Sequence, residues 1–227
     1  MKHALTLCAV TLALLILGVS VQGATEAPLG SVQHPALVPA LHEKITVDGD
    51  AAKWAAVSSM PTTSVATQIN GALKLGWRKE GLYGCLQIKD THIETSIDAP
   101  WGHDCVEIWF GTDFDIRLDE MYDTDHQIVL ALNPTKHDGP CTVVTAQGTI
   151  NARAIKTIGK TTPDGYTIEF FIPAKELLPG KMAAGTKFGF NYSVDDKGKS
   201  IEQFYGDKGV NGGFATPSSW GAIELAK

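Results

Sequence analysis

The run Trp101-Gly102-His103-Asp104-Cys105-Val106-Glu107-Ile108-Trp109-Phe110-Gly111 sets residues able to do chemistry among residues that can only pack. Val106, Ile108 and Phe110 recur at every second position, which on a strand sends all three into a core. Cys105, Glu107 and Trp109 then point the other way. Trp101 enters the run from a loop, behind Asp98-Ala99-Pro100, where an indole has no packing reason to be. A flat apolar ring and a carboxylate on a strand backed by a core make a rigid polar site. Such a pair suits holding a ligand by ring contact and charge-assisted hydrogen bonds. It suits bond breaking less, because Asp104 and Glu107 are three apart and so expected on opposite faces of a strand.

The elements that must carry this run are short and alternate at period two. Ile45 and Val47, Leu73 and Leu75 before Trp77, Leu82 with Leu86 and Ile88, and Ile128 with Leu130 and Leu132 read as strands in the first half. Val143 to Ala146, Ala152 to Thr157, Tyr166 to Phe171, Phe188 to Val194 and Ala222 to Leu225 continue the texture. Turns fall between them at Lys79-Glu80-Gly81, Asp138-Gly139-Pro140 and Pro163-Asp164-Gly165. Pro173 to Leu178 predicts one or two helical turns, with Pro179-Gly180 as the stop. The fold class is therefore all-β, an antiparallel two-sheet sandwich with one short helical turn, since two such sheets must bury their apolar faces on each other.

The first 23 residues read as a signal peptide: Lys2 and His3, an apolar run from Ala4 to Val19, then Val21-Gln22-Gly23 at the cleavage positions. The run is short for a membrane span, so the expectation is a secreted or periplasmic protein with no membrane attachment after cleavage. Residues 24–42 hold Pro28, Pro35 and Pro39 and read as an extended leader, with the domain at 43–227. The formal net charge of the whole chain is −6, a poor balance for nucleic acid. After cleavage Cys85, Cys105 and Cys141 remain, an odd number that permits one bridge at most. Cys85 and Cys105, on strands expected near each other, are either that bridge or buried thiols.

Several pieces stand in a familiar order: Ile45-Thr46-Val47-Asp48-Gly49 with Trp54; Gly81-Leu82-Tyr83 leading to Ile88-Lys89-Asp90; the run from Trp101 to Glu107; Gly165-Tyr166 with Glu169-Phe170-Phe171-Ile172-Pro173; Gly189-Phe190-Asn191; and Trp220-Gly221. Over about Glu43 to Lys227 the chain resembles the family 9 carbohydrate-binding modules, sandwiches related to the DOMON domains. The resemblance implies a non-catalytic domain that holds the end of a sugar chain between two aromatic rings while carboxylates and amides bind the hydroxyls. Asp90, Trp101 and Glu107 match the acid, indole and acid of the family pattern. Gln127 stands where a basic residue is expected, and Asn211 and Phe214 match an Asn followed by an aromatic, with Phe in place of Trp. The implied ligand is an oligo- or polysaccharide, and the implied setting is carbohydrate catabolism alongside separately encoded glycoside hydrolases.

The chemistry of the residues agrees, because sugar rings offer C–H patches to aromatic faces and hydroxyls to carboxylates and amides. Other readings stay open. Glu107 could pair with a neighbouring base, Asp90 could close a turn, and Phe214 could belong to a Gly-rich loop. Trp54, Trp77 and Trp220 sit in or beside apolar alternation and read as packing. No cofactor is required, but Asp48 and Asp50, and the run Asp113, Asp115, Asp119, Glu120, Asp123 and Asp125, are candidates for structural calcium. Asn191-Tyr192-Ser193 has the glycosylation pattern but falls within a strand. Two further functions are weighed. A glycoside hydrolase would use Asp104 and Glu107. A haem-binding electron-transfer domain of DOMON type would draw axial ligands from Met60, Met121 and Met182 or from His92, His103, His126 and His137, without any Cys-x-x-Cys-His attachment.

Overall fold

In the computed structural model of the chain, residues 29–61, 63–64, 70–114, 120–177, 182–203 and 216–227 are described. In chain order the strands are β1 (Ala36–Val38), β2 (Thr63–Ser64), β3 (Asn70–Arg78), β4 (Gly81–Lys89), β5 (Cys105–Gly111), β6 (Asp125–Ala131), β7 (Thr142–Gln147), β8 (Lys156–Thr162), β9 (Gly165–Pro173), β10 (Lys187–Asp196), β11 (Lys199–Gln203) and β12 (Gly221–Leu225). One helical turn, α1 (Ala174–Leu177), follows β9 directly. The smaller sheet runs β3-β4-β9-β8. The larger runs β1-β12-β10-β5-β6-β7, with β11 added to β10 and β2 to β11. Apart from the parallel β1–β12 pair, the strand pairs are antiparallel.

The period-two alternation decides how the sheets meet. Val106, Ile108 and Phe110 of β5, Phe190, Tyr192 and Val194 of β10, and Ile128 and Leu130 of β6 face Leu73 and Leu75 of β3, Leu82 and Leu86 of β4, and Ile168 and Phe170 of β9 in one core. Each such side chain contributes about 1.5–3 kcal/mol by leaving water. A one-residue slip of β5 would bury Glu107 and Trp109 in that core in their place, so the register is fixed by burial.

The outer face of the smaller sheet has a different cover. Glu169 of β9 is fully buried there, and its carboxylate accepts from Asp48 N and Gly49 N at 2.8 Å each and from Trp54 Nε1 at 2.9 Å. Lys53 Nζ lies 3.1 Å away and completes the ring of donors. This anchors the segment around Ile45 to Trp54 over Tyr83 and Cys85. It also explains why Ile45 and Val47 do not form the strand their spacing suggests: the backbone amides beside them donate to a side chain rather than to a neighbouring strand.

Three further expectations are corrected. Residues 24–42 are not wholly a leader, because Ala36–Val38 pairs in parallel with Ile223–Leu225, and Ala36 and Val38 are buried. A three-residue strand between prolines is too short to register as periodicity. The strand placed at Ala152 to Thr157 begins at Lys156, after a 3-10 turn at Ala152–Ala154 capped by the Asn151 side chain. Cys85 and Cys105, expected on strands near each other, occupy the outer faces of different sheets with the core between them; of the two readings left open, free thiols are what the structure has, for all three described cysteines. Alternation, which places both away from the core, is the reason. The signal peptide at 1–23 and Pro179-Gly180 lie outside the described residues.

Candidate functional site

The outer face of the larger sheet gathers the polar residues. Glu107 on β5 stands beside Ser193 on β10, and Cys105 beside Asp195. On the other side Trp109 stands beside Gln127 of β6. Gln127 Nε2 donates to Glu107 Oε2 at 3.1 Å, Ser193 Oγ donates to Asp195 Oδ1 at 3.0 Å, and the Cys105 thiol lies 3.7 Å from Asp195 Oδ2. Although the group faces away from the core, Glu107 is only 7% exposed and Trp109 2%. The Trp109 indole N–H is a buried donor with no hydrogen-bond partner among the described residues.

Burial first, and the Asp195 charge second, push the Glu107 carboxyl up to about 7; the Gln127 hydrogen bond opposes them. The same two causes hold the Cys105 thiol well above its usual value, so it is a poor nucleophile.

A second acidic group lies at the strand ends. Asp90 follows β4 and accepts from His92 N at 2.7 Å. Asp104 precedes β5 and takes two backbone amides, Glu94 N at 2.6 Å and Lys197 N at 3.0 Å. Burial, and then the charges of Asp90 and Asp196, raise Asp104 to about 6 against the pull of those amides. Just before Asp104 in the chain, the 3-10 turn Pro100–Gly102 packs on β5 and β6 and leaves Trp101 48% exposed. Opposite it, the turn between β10 and β11 brings Gly198 (φ +71°) against Gly102: a Cβ on Gly198 would meet the Gly102 backbone at 3.1 Å. Lys197 in the same turn has φ +50°.

The structure thus places Glu107 and Gln127 in direct contact, Trp101 on a turn seated on their two strands, and Asp90 in the group with Asp104 and Asp196. Asn211 and Phe214 lie outside the described residues. Asp104 and Glu107 belong to separate groups, the first under the influence of Asp90 and Asp196 and the second under that of Asp195. Sequence reasoning missed Asn191, Ser193 and Asp195. Their signal was polar alternation with Tyr192 and Val194, and Asn191 is too deeply buried to be glycosylated.

Carboxylate and thiol atoms converge to within 4.8 Å in two places among the described residues, Cys105-Glu107-Asp195 and Asp90-Asp104-Asp196. The all-oxygen second set is the one suited to a hard cation such as calcium. Of the acids singled out in the sequence, Asp48 instead pairs with Lys53 at 2.7 Å, Asp50 caps Ala52 N, and Asp125 accepts from Tyr122 N. Asp115 and Asp119 lie outside the described residues. Among the proposed haem ligands, Met60 and Met182 are core side chains, and His126 is buried with Nδ1 accepting from Thr149 N.

The family model described as "Carbohydrate family 9 binding domain-like" matches residues 47–227. Two solved structures of a family 9 carbohydrate binding module from Caldicellulosiruptor kristjanssonii, each 23% identical, are similar in fold. The one in complex with cellotriose has a TM-score of 0.67, covering 84% of this chain and 93% of that one. The one in complex with glucose has a TM-score of 0.66, with 84% and 96% covered. No curated protein matches the chain.

Proposed function

Since the chain belongs to the family 9 carbohydrate-binding domains, we propose that it holds the end of a glucan-type chain on Trp101, with Glu107, Gln127 and Asp90 serving the sugar hydroxyls. The observation that carries this reading is the half-exposed Trp101 on a turn packed against the two strands that bear Glu107 and Gln127. An indole face so presented takes the C–H side of a sugar ring. The carboxylate accepts from hydroxyls, and the Gln127 amide both donates and accepts. The neighbours in complex with cellotriose and glucose support a β-glucan as the first ligand to try.

Asn211 and Phe214 would supply the amide and the second ring. The domain acts without bond cleavage, exported by its N-terminal segment and working beside separate glycoside hydrolases. No helix among the described residues is long and apolar enough to cross a membrane. Sugar binding uses no cofactor, and any calcium at Asp90, Asp104 and Asp196 would serve the loop rather than the chemistry.

Calorimetric titration of the chain, cleaved after Gly23, with cello-oligosaccharides and a glycan array tests this reading. Saturable binding that Trp101→Ala removes is expected. A folded protein that retains no glycan on the array, or one that releases sugar from chromogenic glycosides, would overturn it.

A further inference from the structure

A groove of about 840 Å³ opens on the opposite side of the sandwich, beside the segment that covers the smaller sheet. The segment Lys44 to Val47 forms one wall, and the stretches Pro140 to Val143 and Ala152 to Ile155 form the other. Ile158 of β8 and Phe171 of β9, both facing outward, make the floor with Tyr83, whose ring lies 4.5 Å from that of Phe171. Ile45, Val47, Val143, Ile158 and Phe171 are each only partly buried, so this apolar lining still has surface to cover. The size lies within the range of pockets for small organic ligands.

The charges around it are unbalanced in a protein of net charge −6. Lys44, Arg153 and Lys156 line the groove, are exposed, and make no ion pair among the described residues. The acid in the lining, Glu80, is already held by Arg78 Nε at 2.8 Å. An apolar floor ringed by three unmatched cations calls for a ligand with a greasy body and a negative end.

We propose that this groove binds a small carboxylate with an apolar body, the carboxylate held among Lys44, Arg153 and Lys156 and the body lying on Phe171 and Ile158. The site is separate from the one built around Glu107, since the two lie on outer faces of different sheets, and it does not depend on the sugar reading. Trp101 plays no part in it.

Titration calorimetry with trans-cinnamate and with decanoate, each beside its neutral alcohol, is the test. Binding of either acid, at least tenfold tighter than its alcohol, is expected, and which acid wins identifies an aromatic or an aliphatic body. The double variant Arg153→Glu/Lys156→Glu should weaken the acid at least tenfold while its melting temperature stays near the parent's, both side chains being exposed. Trp101→Ala should leave the acid's affinity unchanged. Absence of binding by both acids, equal binding of the alcohols, indifference to the charge reversal, or loss of binding in Trp101→Ala would each overturn the proposal.

Discussion

Gln127 Nε2 and Glu107 Oε2 meet at 3.1 Å across β5 and β6, on the face turned away from the core. The contact is diagonal, because Gln127 stands directly opposite Trp109 rather than Glu107. A neutral amide in this place orients the carboxylate without neutralising it, so the Asp195 charge and burial act on Glu107 with little opposition. A ligand hydroxyl arriving here therefore meets a group that can present either a protonated or an ionised oxygen near neutral pH.

Stability should fall as pH rises. The folded protein holds Glu107 at about 7 against an ordinary value of 4.5, so between those limits the folded state binds more protons than the unfolded one. Raising the pH through that window removes stability, at up to about 1.4 kcal/mol per unit for the group concerned. Asp104, raised to about 6, acts in the same direction over the lower part. Melting temperatures from pH 5 to 8 should decline, and Glu107→Gln should flatten the upper part of the curve. His126, held below its usual value by burial, acts in the opposite direction, so the comparison with Glu107→Gln carries the test: parent and variant melting temperatures that run parallel from pH 5 to 8 would contradict the burial described.

Two indoles should respond in opposite ways. Trp101→Ala is expected to weaken sugar binding by about 1–3 kcal/mol and leave stability nearly untouched, because the ring is half exposed. Trp54→Ala removes a fully buried ring and a donor to Glu169, and should cost about 3–5 kcal/mol of stability. Titration and a melting curve on each variant decide it. An unchanged affinity in Trp101→Ala would make that ring a packing residue.

Glu169→Leu should be more damaging than its position far from the sugar site suggests. It strands the amides of Asp48 and Gly49 and the Trp54 indole N–H at once, and leaves Lys53 with Asp48 as its remaining acid. A loss of about 3–5 kcal/mol in urea unfolding is expected, as for other broken buried charge pairs. A variant as stable as the parent would mean that the segment over the smaller sheet is held by apolar contact alone.

Gly198→Val tests whether the turn between β10 and β11 positions Trp101. The new side chain would press on Gly102, next to the indole, and would occupy a left-handed backbone that costs a β-branched residue about 1–2 kcal/mol. Affinity should drop about tenfold, equivalent to about 1.4 kcal/mol. Gly185→Val is the control, at φ +86° with open space around the new Cβ, and should lose stability without losing affinity. Equal affinities in the two variants would remove the turn from the site.

Most of the sandwich was legible because alternation is a local signal. Val106, Ile108 and Phe110 declare both their core and the outward direction of Glu107 within six residues. What local pattern cannot express is which side chain will take up a distant backbone: Glu169 holds Asp48 and Gly49 from far along the chain, so Ile45 and Val47 read as a strand and are none. The same limit hid Asp195, whose neighbours Cys105 and Glu107 arrive only when β10 lies beside β5. Ala36–Val38 was illegible for a simpler reason, since three residues do not make a period.

That short pairing has a mechanical consequence. Ala36–Val38 and Ile223–Leu225 run in parallel, so the chain enters β1 at one end of the pair and leaves β12 at the other. Tension applied between the two flanking segments pulls along the strands and loads all of their hydrogen bonds together in shear, instead of peeling them open one at a time. Behind β12 stand β10 and then β5, the strands that carry Asp195 and Glu107. A domain anchored to an insoluble polymer on one face and tugged by its chain ends would resist that pull as a riveted joint does, and not as a zip.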